Sequence, residues 1–139
     1  MKKSTEELLK LMKESDNIGD YLDASAGDMI EMRLPEVLAD LIEKSGRKPA
    51  EVFRRGAIEK SYGYAILSGK RSPERDKLIA LMFGLALEPD EAQKVLRSTG
   101  YPPLYPKITR DAVILFCMEK GMELSDCNEV LFDMGLKLL

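Results

Sequence analysis

The sequence contains no histidine and no tryptophan, and only two of its 139 residues are cysteines. Without histidine, a metal centre or a general base has to be built from other residue types. Cys117 and Cys127 lack the close spacing that is typical of zinc ligands, and no glycine-rich phosphate loop is present. We therefore expect no enzyme activity, no metal ion and no cofactor. The two cysteines are expected to be buried free thiols rather than a disulfide.

Long apolar runs are missing as well. No stretch approaches the roughly 18 apolar residues that a membrane span requires. The chain turns acidic at Glu6 and Glu7, where a secretory signal would become apolar. These patterns predict a soluble, cytoplasmic protein that does not contact a membrane.

Strand patterns are absent, and aromatic residues make up only 6% of the chain. The apolar residues are mostly Leu, Ile, Met and Ala, which favour helices over sheets. They recur at helical spacing between proline or serine start signals and glycine stop signals. A hydrophobic content of 45% is enough to bury a core. The sequence therefore predicts an all-α protein.

Proline and glycine signals divide the chain into three parts. Residues 1–33 are predicted to form an acidic helix and a linker. Residues 34–100 are predicted to hold five short helices. The proline-rich run 101–106 cannot be helical and marks a boundary. Residues 101–139 are then an extension that forms a helical hairpin.

Serine and threonine residues mark most of the predicted helix starts. Ser4 is expected to cap the first helix, with Glu7 three residues later. Ser72 is expected to cap the helix that follows the basic turn, and Thr109 and Ser125 the two helices of the hairpin. The acidic, small-residue stretch 20–31 is expected to be a linker with at most one loose turn.

The net charge of −3 hides a strong segregation along the chain. Residues 1–43 carry 5 Lys or Arg against 11 Asp or Glu, and residues 78–139 carry 6 against 9. Residues 44–77 carry 10 basic residues against 4 acidic ones. A basic block inside an acidic chain is the pattern that a nucleic-acid-binding surface leaves in a sequence.

The second and third predicted helices of the central part are separated by only two or three residues, as in helix-turn-helix motifs. Four segments carry a family resemblance: residues 49–53 (PAEVF), 56–58 (GAI), 68–73 (SGKRSP) and 78–85 (LIALMFGL). Through them, residues 34–99 resemble the lambda-repressor-like (Xre-type) helix-turn-helix family of transcription regulators. Through residues 62–64, 101–105 and 110–115, nearly the whole chain also resembles bacterial Xre-type regulators that add an acidic N-terminal helix and a C-terminal helical hairpin.

This resemblance implies a sequence-specific protein that binds double-stranded DNA. The helix at residues 59–67 would be the recognition helix in the major groove. Its expected contacts to base edges are Lys60, Ser61 and Tyr64. The expected contacts to phosphates are Lys48, Lys70, Arg71 and Arg75.

Two positions depart from the family pattern. Ala57 stands where the family usually has the glycine of the turn, and Gly56 comes one residue early. Gly63 replaces an aliphatic residue that the family buries, which leaves space for Tyr62 or Tyr64. If Tyr64 turns inward it cannot read a base, and the sequence leaves both positions open.

A second interpretation keeps the fold without DNA binding. The overall acidity and the altered turn are also compatible with a protein-interaction adaptor or an antitoxin-like module. For the DNA-binding interpretation we expect a homodimer through the C-terminal hairpin, the favoured element, or through the N-terminal helix, although the hairpin could equally cover only the back of the core.

Overall fold

The computed structural model describes residues 3–25 and 33–139. These residues form nine α-helices and no strand, which confirms the predicted all-α class. The helices are α1 Thr5–Glu14, α2 Ile18–Ala24, α3 Leu34–Ser45, α4 Pro49–Arg55, α5 Lys60–Leu67, α6 Arg75–Gly84, α7 Pro89–Ser98, α8 Thr109–Glu119 and α9 Leu124–Asp133. Within this part of the chain, no helix combines the length and apolar character that crossing a membrane requires. The chain divides into two compact units, Met1–Glu31 and Met32–Leu139.

The first unit contains two helices. The Ser4 hydroxyl accepts a hydrogen bond from the Glu7 amide at 3.2 Å, so the predicted cap of α1 is confirmed. The linker prediction is wrong for the stretch that forms α2. Asn17 caps this helix, because its side-chain oxygen accepts a hydrogen bond from the Asp20 amide at 2.9 Å. The remainder of the predicted linker, residues 26–31, lies outside the described residues.

Proline residues open three helices of the second unit. Pro35, Pro49 and Pro89 lie in the first turns of α3, α4 and α7, where a missing amide donor has no cost. Gly46 ends α3 in the left-handed conformation, with φ of 72°. These boundaries agree with the sequence signals.

The predicted caps at Ser72, Thr109 and Ser125 are wrong. Helix α6 begins only after Glu74. Helices α8 and α9 begin one and two residues earlier than those caps would require, after Ile108 and Glu123. In each case the residue before the helix makes no capping hydrogen bond through its side chain.

Helix α6 lies at the centre of the core. All residues from Leu78 to Gly84 are buried, and α4 packs against this helix. The two helices approach closely because two glycines carry no side chain. A Cβ atom at Gly56 would lie 2.8 Å from the Ala80 carbonyl oxygen, and one at Gly84 would overlap the Val52 carbonyl oxygen.

The C-terminal hairpin of α8 and α9 completes the same core. Ile114 and Leu131 are fully buried, and α8 and α9 pack against α7 and α6 respectively. Cys117 and Cys127 are buried free thiols, which confirms that prediction. Burial and the neighbouring Cys117 thiol raise the pKa of Cys127 to about 12. The inner face of the hairpin therefore covers the core, and residues 101–139 belong to the same compact unit as residues 34–100.

Candidate nucleic-acid interface

Helices α4 and α5 are joined by a tight turn at residues 56–59. The connection is four residues long, slightly longer than predicted. The Ile58 amide donates to the Phe53 carbonyl at 2.8 Å, and the Ala57 amide donates to the Arg54 carbonyl at 3.1 Å. This bonding pattern is a Schellman motif with Ala57 as its left-handed residue, at φ of 52°. The turn that the sequence placed at Gly56 and Ala57 therefore forms with alanine in the strained position.

Gly63 provides the surface on which the Phe53 ring rests. A Cβ atom at Gly63 would lie 2.7 Å from three atoms of that ring. The sequence interpretation expected Tyr62 or Tyr64 to fill the space beside Gly63, but Phe53 of α4 fills it. Residue 63 is therefore the point where α5 packs most closely against α4.

Tyr64 is packed on one side and exposed on the other. Its ring meets the Phe53 ring edge-on, with centroids 5.1 Å apart and an interplanar angle of 85°. At the same time 43% of the residue surface remains exposed. The ring thus packs partly on Phe53, and the tyrosine still presents surface to solvent.

The first turn of α5 is exposed at Lys60 and Ser61. Glu59 precedes the helix, and its carboxylate accepts a hydrogen bond from the Ser61 hydroxyl at 2.8 Å. Lys60 has no ion pair within the described residues. Two of the three predicted base-contacting residues, Lys60 and Ser61, therefore lie at an accessible helix end, and Ser61 is already hydrogen-bonded to Glu59.

Arg71 comes close to this helix end. It lines a surface depression together with Glu59, Tyr62, Glu74 and Lys77. The backbone amide of Arg71 donates to the Ala65 carbonyl at 3.1 Å, which holds the turn against α5. The basic turn and the start of α5 therefore share one surface.

The predicted phosphate contacts Lys48 and Lys70 are exposed, but neither lines this depression. Lys48 precedes the first turn of α4, and Lys70 follows Gly69 at the end of α5. Lys77 was not selected from the sequence as a contact, although it belongs to the basic block. Its exposed position on α6, next to Arg71, identifies it as a further cation of this surface.

Arg75 does not have the role that the sequence suggested. Its guanidinium donates to the Pro102 and Pro103 carbonyls, both at 2.9 Å, and to both carboxylate oxygens of Asp111, at 3.3 and 3.0 Å. Its side chain is 24% exposed, and that of Asp111 only 7%. Since four donor hydrogens are used inside the protein, Arg75 is a structural residue and is removed from the set of candidate phosphate contacts.

A second ion pair joins the same two helices, with the aspartate, Asp76, on α6 and the arginine, Arg110, on α8. Arg110 donates to both carboxylate oxygens of Asp76 at 3.0 Å, and also to the Lys137 carbonyl at 2.8 Å. Burial alone would raise the pKa of Asp76. The hydrogen bonds and charge of Arg110, together with Lys137 and Arg75, outweigh burial and hold that pKa below its usual value. The two pairs join the start of α6 to the C-terminal hairpin.

The ten basic residues of the block 44–77 separate into two groups. Lys44, Arg47, Arg55 and Arg75 contact acidic side chains or backbone carbonyls. The other six are exposed and make no ion pair with any residue that the structure describes: Lys48, Arg54, Lys60, Lys70, Arg71 and Lys77. More than half of the block thus keeps its charge available to a partner.

Comparisons with protein-family models, with curated proteins and with solved structures gave no significant match.

Proposed function

We propose that the protein binds duplex DNA sequence-specifically and acts as a transcription regulator of the bacterial, cytoplasmic type. In this proposal α3–α7 adopt a lambda-repressor-like arrangement of the Xre type, and α5 enters the major groove. The observation that carries the proposal is a set of exposed cations near the first turn of α5 that form no ion pair with any described residue. Arg71 and Lys77 lie in the same depression as the carboxylates of Glu59 and Glu74, and Lys60 follows at the first helical position.

The exposed residues of α5 have chemistry that suits base edges. A lysine ammonium can donate to the O6 and N7 atoms of guanine, and hydroxyl groups can donate or accept. Lys60 and Ser61 therefore remain the proposed base contacts. Tyr64 joins them through its exposed part, with its ring held by Phe53.

The proposed phosphate contacts are revised by the ion pairs. Lys48, Lys70 and Arg71 keep this role because they are exposed and unpaired among the described residues. Lys77 replaces Arg75 in the set. Such contacts fix the position of the protein on the duplex, while the α5 side chains supply sequence preference.

A charge-reversal experiment tests this surface. Lys70→Glu combined with Arg71→Glu should reduce affinity for duplex DNA by at least about a hundredfold, because two phosphate contacts become repulsions. The matched control is Lys94→Glu combined with Arg97→Glu. It changes the net charge equally on α7, where both cations are exposed and outside the proposed surface. Equal losses for the two double variants would contradict the proposed site.

The adaptor interpretation stays as the second candidate because of one observation. Glu59 places a carboxylate at the exposed start of α5, where it would repel phosphate and already holds the Ser61 hydroxyl. If folded protein fails to bind duplex DNA at low salt, this surface is better suited to a protein partner. Glu59→Gln separates the candidates, since it should strengthen DNA binding and should not strengthen binding to a basic protein surface.

A further inference from the structure

The outer face of the C-terminal hairpin carries an exposed apolar groove. Its lining includes Val113 and Phe116 of α8, Val130 of α9 and Met134, which follows α9. Phe116 is 55% exposed and Met134 is 52% exposed. Exposed large apolar side chains that form one groove are typical of interaction surfaces.

The charges beside this groove differ between the two helices. Lys107 lies before the first turn of α8 and lines the groove, and Glu119 and Lys120 lie together at the other end of the helix. The Lys120 ammonium lies 5.5 Å from the centroid of the Phe116 ring, at the edge of the groove. The charged residues of α9 are all acidic, namely Asp126, Glu129 and Asp133, and all three are exposed. None of these six charged side chains forms an ion pair within residues 3–25 and 33–139.

We propose that this groove binds a second copy of the same chain, with α8 of one protomer lying over α9 of the other. The two helices form an antiparallel hairpin, since only four residues separate them. A two-fold axis parallel to the helices then places each α8 antiparallel to the partner's α9. Lys107 meets the end of α9 that carries Asp133, and Lys120 meets the end that carries Asp126.

The same charges disfavour the other face-to-face arrangement. A two-fold axis perpendicular to the helices, within the interface plane, would lay α8 on α8 and α9 on α9. The three acidic residues of one α9 would then approach those of the other α9, and α9 carries no cation to offset them. Since like charges that face each other across an interface oppose association, the charge pattern selects the first arrangement. The apolar centre supplies affinity, and the flanking charges determine orientation.

This interface goes beyond the proposed DNA binding and does not depend on it. It assigns the dimer contact to the C-terminal hairpin rather than to the N-terminal helix, and to the outer face of that hairpin. The interface can therefore be tested on the full-length protein without DNA. A dimer that binds no DNA would contradict only the proposed function, and a monomer that binds DNA would contradict only this interface.

Sedimentation analysis of the full chain provides the first test. The wild-type protein should have a mass near twice 15.6 kDa, and Phe116→Glu should raise the dimer dissociation constant by about a hundredfold or more. Phe132→Glu is the matched control because Phe132 is 72% exposed on the same hairpin and does not line the groove. Circular dichroism establishes that each variant keeps its helices.

A charge-exchange series tests the orientation with conservative surface changes. Lys120→Glu and Asp126→Lys should each weaken the dimer, and the double variant should restore it at least partly. A monomeric wild-type protein would overturn the proposal, as would a dimer that survives Phe116→Glu. A dimer that Leu9→Glu in α1 dissociates, but Phe116→Glu does not, would assign the interface to the N-terminal helix instead.

Discussion

Arg75 and Asp111 form a doubly hydrogen-bonded ion pair that joins the start of α6 to the first turn of α8. Asp111 is additionally held by the Tyr105 amide, which donates to its Oδ2 atom at 2.9 Å. The arginine also anchors the carbonyls of Pro102 and Pro103. One guanidinium therefore fixes the proline-rich connection between α7 and α8 and the position of the hairpin.

Removing the Arg75 side chain should destabilise the protein strongly. Arg75→Ala leaves the buried Asp111 carboxylate without its counter-ion, and we expect a loss of about 3 kcal/mol in the free energy of unfolding. Urea unfolding followed by circular dichroism measures this loss. Lys77→Ala on the same helix is the control, because Lys77 is exposed and unpaired within the described residues. Similar losses for the two variants would contradict the structural role of Arg75.

The ion pair between Asp76 and Arg110 predicts a dependence of stability on acid. Because the folded protein holds the pKa of Asp76 below its usual value, the contribution of this carboxylate is complete above the unfolded-state pKa of about 3.9. The contribution is lost as the pH falls through the lowered folded-state pKa. The stability difference between wild type and Asp76→Asn should therefore shrink in that acidic range. Asp90→Asn, at an exposed position, is the control and should show no such dependence on pH. A stability difference between wild type and Asp76→Asn that stays constant as the pH falls would contradict the role of this ion pair.

Gly63→Ala distinguishes helix propensity from packing. Helix propensity alone predicts that the free energy of unfolding rises by about 1 kcal/mol, since alanine is more favourable in a helix than glycine is. The contact of a new Cβ with the Phe53 ring predicts a net loss of about 1–3 kcal/mol instead. Thermal unfolding shows whether the Gly63→Ala variant is more or less stable than the wild-type protein. Introducing Gly63→Ala into a Phe53→Leu background should reduce the loss, because the smaller side chain removes the clash; a stabilised single variant would refute the close packing.

Ala57→Gly should stabilise the turn between α4 and α5. Alanine at φ of 52° is strained, and glycine removes a steric cost of about 1 kcal/mol. The adjacent change Gly56→Ala should have the opposite effect, because its Cβ would press on the Ala80 carbonyl oxygen. Unfolding free energies of both variants provide the check. A destabilising Ala57→Gly would mean that the turn does not adopt this conformation.

Local sequence signals sufficed for most of the helical framework. Pro35, Pro49 and Pro89 identified helix starts because proline restricts its own backbone to a conformation that suits the first helical turn. Gly46 identified a helix end because glycine readily adopts the left-handed conformation. The failures have a different origin. Ser72 could cap a helix by its chemistry alone, but the carbonyl of the adjacent Pro73 accepts a hydrogen bond from the distant Tyr101 hydroxyl at 2.6 Å, and the helix starts later.

The candidate site was predictable in its charge but not in its pairings. The basic block identified Lys60, Lys70 and Arg71 as exposed cations, and the structure leaves them unpaired within its described residues. Arg75 looked equivalent to them because its partner Asp111 lies 36 positions away in the sequence. The contact between Gly63 and Phe53 was hidden for the same reason, since only the folded chain brings α4 and α5 together.

Fluorescence anisotropy with random-sequence duplex DNA, stepped from about 50 to 200 mM salt, tests the DNA-binding proposal most directly. Four phosphate contacts per chain, from Lys48, Lys70, Arg71 and Lys77, predict that affinity falls by at least about a hundredfold over this range. Lys70→Glu combined with Arg71→Glu should reduce the slope of log affinity against log salt concentration by the amount expected for about two phosphate contacts. Folded wild-type protein that shows no binding at the lowest salt concentration would contradict the proposal.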